Sequence, residues 1–252
     1  IEYPILTDDG SLIKIGTHFN TGFYRIENYD DPLSGSQKSK YYKGKFYPQM
    51  TFELSKPLYK RNKVSKEIFE PKLLLVAGAN NGNDMHIPNE DSRSYDLDFS
   101  DLFNRNRLSG NDRLDNGSRF DYGFSYLNQN IKTSSVTNIS IGHSYRLRKD
   151  VYQPSNSGSN NHFSNIVSFI KIKPTEGFNV KSEFSINSSK FTFAQSISNI
   201  SINYAKNNIG ISHLYSEPTS GLEATSQEKR NQLSLNYLYK FNNYWESINS
   251  ST

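Results

Sequence analysis

Residues 87–126 read IPNEDSRSYDLDFSDLFNRNRLSGNDRLDNGSRFDYGFSY and join two kinds of chain. Up to about Gly117 the stretch is polar and turn-rich, with neither a helical nor a strand period. It then alternates strictly. Phe120, Tyr122, Phe124 and Tyr126 fall on one face, and Arg119, Asp121, Gly123 and Ser125 on the other. A strand that is aromatic on one side and polar on the other suits a wall between lipid and a wet interior.

The composition agrees with that reading. Of 252 residues 34% are hydrophobic and the mean hydropathy is −0.73, while Tyr (17) and Phe (16) are abundant. A soluble domain of this length buries a large aliphatic core, and this chain is short of aliphatics. Disorder does not fit either, because aromatic and β-branched residues recur at fixed spacing. A transmembrane β-barrel needs apolar residues only at alternate strand positions. No run approaches the ~18 apolar residues of a membrane-spanning helix; the longest covers residues 73–77. The chain begins with Ile1, without a charged-then-apolar leader, and is expected to be a fragment. Zero cysteines exclude disulfides and thiolate sites within it. The net charge is +4, with Lys and Arg dispersed, so no nucleic-acid surface is expected.

Period-2 alternation predicts about eleven strands, over residues 12–26, 45–56, 67–78, 118–127, 134–147, 164–173, 179–187, 191–204, 209–216 and 229–241, with a last one starting near Tyr244. Residues 73–76 are apolar on both faces, so something apolar should also pack there from inside. The apolar residues Phe191, Phe193 and Ile197, read as outward, are odd, while Ile200, Ile202 and Tyr204 are even, which predicts a β-bulge near Ser198 and Asn199. The connections alternate long (27–44, 79–117, 148–163, 217–228) and short (57–66, 128–133, 174–178, 205–208, 242–244). The exception is 188–190, short where a long one is due. In an up-and-down meander this places tight turns at one end and long loops at the other, as in outer-membrane barrels. An odd strand count and a terminal strand cut short again point to a section of a larger barrel. No boundary divides residues 1–252.

Catalytic motifs are not evident. The five histidines are scattered, without zinc spacing. The acidic residues Glu90, Asp91, Asp96, Asp98 and Asp101 lack the pattern of a calcium loop and are expected to pair with Arg105, Arg107 and Arg113. No cofactor or metal is expected. Tyr122, Tyr145, Tyr204, Tyr237, Tyr244 and Trp245, near strand ends, suit the headgroup level of a membrane.

Three ordered elements carry a family resemblance. They are NEDS at residues 89–92, LF-x-x-NR-x-SG-x-DR at 102–113, and G-x-R-x-x-YG at 117–123. FYPQ at 46–49, Glu70 with Pro71, and SYRLR at 144–148 add to them. Together they resemble the LptD family of lipopolysaccharide-assembly proteins (organic solvent tolerance proteins), in its alphaproteobacterial branch. The resemblance implies an internal section of the barrel, with the N-terminal jellyroll and the terminal strands absent. It implies a transporter, not an enzyme, that places lipopolysaccharide in the outer leaflet of the bacterial outer membrane. The implied partners are a lipoprotein plug of the LptE type, outer-membrane lipid, and a periplasmic bridge protein only through the missing N-terminal domain. A porin or substrate-specific diffusion channel is the alternative. Candidate residues for contact with the lumen, plug or lipid are Asn89, Glu90, Asp91, Phe103, Arg107, Gly110, Asp112, Arg113, Arg119 and Arg146. The parity of Arg119 and Arg146 turns them toward the lumen, where phosphates, plug carboxylates or neighbouring strands could receive them. The 39-residue stretch 79–117 is too long for a passive connection and is expected to fold over or into the lumen.

Overall fold

The computed structural model describes residues 1–30, 37–92, 96–150, 153, 157–220, 228–242 and 245–251. They form one antiparallel sheet. Its strands are β1 (Glu2–Leu6), β2 (Leu12–Asp30), β3 (Gln37–Ser55), β4 (Leu58–Arg61), β5 (Ser65–Gly78), β6 (Arg119–Asn130) and β7 (Val136–Arg146). They continue as β8 (Ile166–Thr175), β9 (Phe178–Ile186), β10 (Phe193–Tyr204), β11 (Asn207–Ser216), β12 (Arg230–Lys240) and β13 (Glu246–Ser251). Strand follows strand in chain order, with β4 beside β5 off the main path. β1 and β13 each pair on one side only, so the sheet is open. The architecture is all-β, an antiparallel meander of the kind that forms a transmembrane barrel.

Register carries the alternation of β6 across the sheet. Phe120, Tyr122, Phe124 and Tyr126 stand opposite Tyr145, His143, Ile141 and Ile139 of β7 and opposite Leu75, Leu73, Pro71 and Phe69 of β5. Directly opposed residues share a face, so this surface is largely apolar from β2 to β12, broken by a short polar row in which Ser182 donates to Ser198 at 2.9 Å. Aromatic pairs pave it: Phe19 with Phe46 at 6.1 Å between ring centres, and Phe69 with Phe124 at 5.4 Å. The other face carries Lys14, Gln49, Asp121, Ser144, Lys181 and Asn199.

Thirteen strands replace the eleven read from the pattern. β1 and β4 have five and four residues, all exposed, too short to show alternation. Pro57, which has no N–H for the ladder, separates β3 from β4, and the two pair with successive parts of β5. The long connection expected at 27–44 is mostly strand, because β2 runs to Asp30 and β3 starts at Gln37. Asn28, at φ 52°, drops out of that ladder. The bulge expected at Ser198 and Asn199 lies instead between Phe193 and Gln195. From there the register is regular, and Ile197 turns inward, opposite Glu183. Reading Ile197 as outward put the parity change too late. Tyr244 lies outside the described residues.

The connections keep their asymmetry. Tight turns such as Glu176–Gly177 lie at one end of the sheet. Gly177, at φ 84°, has no room for a side chain, since a Cβ would come within 2.3 Å of the Asn203 carbonyl oxygen. At the other end, residues 79–92 and 96–118 fold back onto the inner face, with one turn of helix, α1 (Phe99–Leu102), resting on β7 and β8. This turn lies in the stretch that showed no helical period. Leu97, Leu102 and Val167 form a buried cluster, with Phe99 and Phe103 against it. Leu74 and Val76 are buried as well, in keeping with the expectation of apolar packing inside residues 73–76.

Candidate functional site

Besides the apolar pad under α1, the returning loop is held by a clasp within itself and by an ionic hub beneath it. The clasp joins residues 89–92 to 110–113 through reciprocal caps. The Asp91 carboxylate accepts the N–H groups of Asn111 and Asp112, both at 3.0 Å. The Asp112 carboxylate accepts those of Glu90 and Asp91 at 2.9 and 3.2 Å. Asn89 Oδ1 accepts the Ser92 N–H at 3.0 Å, and Ser92 Oγ accepts the Arg113 N–H at 2.9 Å. Gly110, at φ 77°, lets the strands of the clasp approach; a Cβ there would meet the Asp91 carbonyl oxygen at 2.6 Å. Lys45 of β3 anchors the clasp through Nζ to the carbonyls of Asn111 and Asp112, at 3.2 and 3.0 Å. Two short Asp-containing motifs, twenty residues apart, thus satisfy each other's backbone donors at the loop's exposed edge.

The hub holds three arginines and two aspartates, all buried. Asp115, from the loop, lies at its centre. Arg119 Nη1 is 2.9 Å from its carboxylate, Arg107 Nε 3.7 Å, and Arg146 Nη2 donates to its other oxygen. Asp121 of β6 receives Arg119 Nε at 3.0 Å, Arg107 Nη2 and the Ser144 hydroxyl. Loop carbonyls take remaining guanidinium donors: Leu102 from Arg107 at 2.8 Å and Arg105 from Arg119 at 3.0 Å. Arg146 Nη1 also donates to the Asn116 carbonyl and lies 3.9 Å from Asp150. Burying such ions is costly unless the geometry pairs them, and here each charge faces its opposite. Burial pushes the Asp115 carboxyl up, but Arg119, Arg146 and Arg107 outweigh it and hold the group well below the ordinary carboxylate range. Burial and neighbouring Arg119 pull the Arg107 guanidinium down to about 10, against Asp121 and Asp115, which leaves it charged at neutral pH.

Tyr47 and Gln49 of β3 close the hub on its other side. Tyr47 Oη donates to the Ala79 carbonyl and accepts the Gly117 N–H, both at 2.9 Å, so it ties the loop's two ends together. Gln49 donates to the Asp115 carbonyl at 3.3 Å and accepts from Arg105. At the far end of the loop, Leu97 N–H donates to the Ser157 carbonyl at 2.9 Å. Burial raises the Asp96 carboxyl, opposed by Arg230 and the Ser216 hydroxyl, so the loop reaches from β3 to the ends of β11 and β12.

The ten candidate residues therefore divide. Asn89, Glu90, Asp91, Gly110, Asp112 and Arg113 build the clasp. Arg107, Arg119 and Arg146 build the hub. Phe103 belongs to the apolar pad, edge-on to Phe99 at 5.8 Å, with the Lys72 ammonium 5.0 Å from its ring centre. The acidic cluster does not pair with Arg105 and Arg107 as expected. Asp91 caps the clasp, Asp98 caps the start of α1 at 2.9 Å, and those arginines reach Gln49 and the hub.

The clasp and hub thus draw on the sequence elements at 89–92, 102–113 and 117–123, joined by Asp115 and by Arg146 of the element at 144–148, on the polar face of a lipid-type sheet. The family model of LptD, described as LPS transport system D, matches residues 1–245. The chain belongs to the LptD family. LptD proteins are outer-membrane β-barrels, and the outer membrane is the place of this chain. No curated protein matches it.

Sequence reasoning missed Asp115, Asp121, Tyr47 and Gln49. Asp121 left a signal in sharing the inward parity of Arg119 two residues away, and Tyr47 and Gln49 in lying within FYPQ at 46–49; Asp115 left none.

Proposed function

We propose that this chain is a section of the translocon wall that delivers lipopolysaccharide to the outer leaflet of the outer membrane. The family match over residues 1–245 carries the reading, and the sheet's chemistry supports it. The apolar face suits acyl chains and membrane lipid, and the inner face suits sugars and phosphates. The long-loop end is read as the cell exterior and the tight-turn end as the periplasm. Residues 79–118 act as a fixed inner lining that narrows the polar path along β3 and β5–β8. A lipoprotein plug of the LptE type then faces the free surface of that lining and the open wall of β9–β12. The clasp and hub residues hold the lining in place. Closing strands and a periplasmic docking domain are expected from the rest of the protein.

The test is depletion of the full-length protein in its own cells, followed by labelling of surface lipopolysaccharide. Loss of label, with the lipid retained inside, is the expected result. Unchanged surface label, together with ion conduction by the purified protein in a planar bilayer, would replace this reading with a porin.

A further inference from the structure

The inner face of β8 and β9 carries a charge arrangement that the loop does not use. Register places Lys171 of β8 directly opposite Lys181 of β9 on that face. Like charges directly opposed in a sheet are unfavourable. The same row continues with Asn138 on one side and Asn199, then Ser212, on the other. No carboxylate stands in it. Glu183, one inward position toward the exterior, takes Lys181 at 2.7 Å. Lys173 faces inward one row nearer the tight turns, opposite Val136. No carboxylate of the described residues lies within ion-pair distance of Lys171 or Lys173. Beside them, Phe169 lies under the Lys181 ammonium at 5.5 Å.

We propose that Lys171, Lys173 and Lys181 form a station for a phosphate monoester, the anionic headgroup of the transported glycolipid; this rests on the lipopolysaccharide reading above. A dianionic phosphate set between Lys171 and Lys181 removes their mutual repulsion and gains charge-assisted hydrogen bonds from both. Asn138 and Asn199 flank it with amide donors for phosphate oxygens or adjoining hydroxyls. The hub offers no such place, because its guanidiniums are buried under the loop among aspartates, whereas Lys171 is exposed and Lys181, paired with Glu183, stays open to solvent. The station also lies between the loop and the tight turns, where Lys171 is exposed and a headgroup arriving from the tight-turn end would meet it first. Lysine suits a transit point: it contacts phosphate as a mobile point charge and lacks the bidentate grip of arginine.

The experiment uses the full-length protein with its partners, purified in detergent, and two probes: lipopolysaccharide with its phosphates intact and the same lipid after dephosphorylation. Wild-type protein should bind the phosphorylated form about tenfold more tightly, the scale of one or two lost charge-assisted bonds. Lys171→Gln with Lys173→Gln should bring the two probes to within about twofold of each other, and Lys171→Arg should keep the preference. The heat-modifiable gel shift of a folded barrel controls for folding. An unchanged preference in the double variant would overturn the station while leaving the transport reading intact. A wild type that binds neither probe would overturn both. Photo-crosslinking from position 171 supplies a separate check. Capture of lipid supports the station, and capture of an acidic segment of the plug instead would reassign these lysines to a protein contact.

Discussion

The inner wall is finished in two ways. Along β3 and β5–β7 the inward residues include Arg119, Asp121 and Arg146, and they are dry, sealed under the loop by Asp115 and Arg107. Along β9–β12 the inward residues include Lys181, Asn199, Ser212 and Gln232, and no part of the loop's hub or clasp covers them. Strand alternation is the same in both halves. What separates them is a partner from outside the strand. An inward charge is therefore not by itself a mark of water or of a ligand; in the first half it marks a docking point for the chain's own loop.

The largest break in this contrast should come at Asp115. Asp115→Ala leaves three guanidiniums buried with one carboxylate fewer at their centre, a loss of about 3–5 kcal/mol. Glu183→Ala, in the open half, removes a partly exposed pair and should cost about 0.5 kcal/mol or less. Urea midpoints read by heat-modifiable migration measure both, and protease cleavage within residues 79–118 should rise only for Asp115→Ala. Equal shifts would mean that the loop is not locked by the hub.

Glycine substitutions sharpen the comparison at intermediate size. A Cβ on Gly142 would lie 2.2 Å from Leu102 Cδ2, so Gly142 is the seat of α1. Gly142→Ala should cost about 1–3 kcal/mol through overpacking. Gly210→Ala, where the nearest atom is 3.7 Å from the new Cβ, should be nearly neutral. The same urea titration separates them.

The smallest effects concern acid. The Asp115 carboxyl lies below its ordinary, unfolded value of 3.8. Its contribution is fully present above pH ~4 and is lost as pH falls through the depressed folded value. Loop release should therefore need strongly acidic solution, and Asp115→Asn should flatten the dependence. Asp96 has the opposite sign. Its folded value is raised by burial, so its ionised form is penalised at neutral pH. Asp96→Asn should stabilise the far end of the loop slightly at pH 7 and have no benefit well below pH 4. Hydrogen exchange at Leu97 across that range reads both.

Much of the wall was legible from residue order, because a lipid-facing strand leaves a mark at every second position. Phe120 to Tyr126 fixed the face of β6, and register then assigned its neighbours. The failures are local. β1 and β4 are too short to alternate, and Ile197 looked outward because apolar residues usually are. The site was less legible. Parity turned Arg119 and Arg146 inward, but nothing along the chain says that Asp115 meets Arg146, since a loop without a period carries no record of what it touches. The spacing of the two motifs around Asp91 and Asp112 did not announce reciprocal capping either, because the caps are made to backbone N–H groups, which every sequence has.

The hub has a further consequence for how the wall is assembled. Seating the loop needs Tyr47 of β3 and Arg146 of β7 together, about a hundred residues of chain apart, with β5 and β6 between them in correct pairing. A one-residue slip of β6 or β7 would turn Arg119 or Arg146 out to the lipid and strand Asp115 without its counterions. The loop can thus dock only on a wall whose register is right. A wall out of register would leave Asp115 and Tyr47 without the partners that seat the loop.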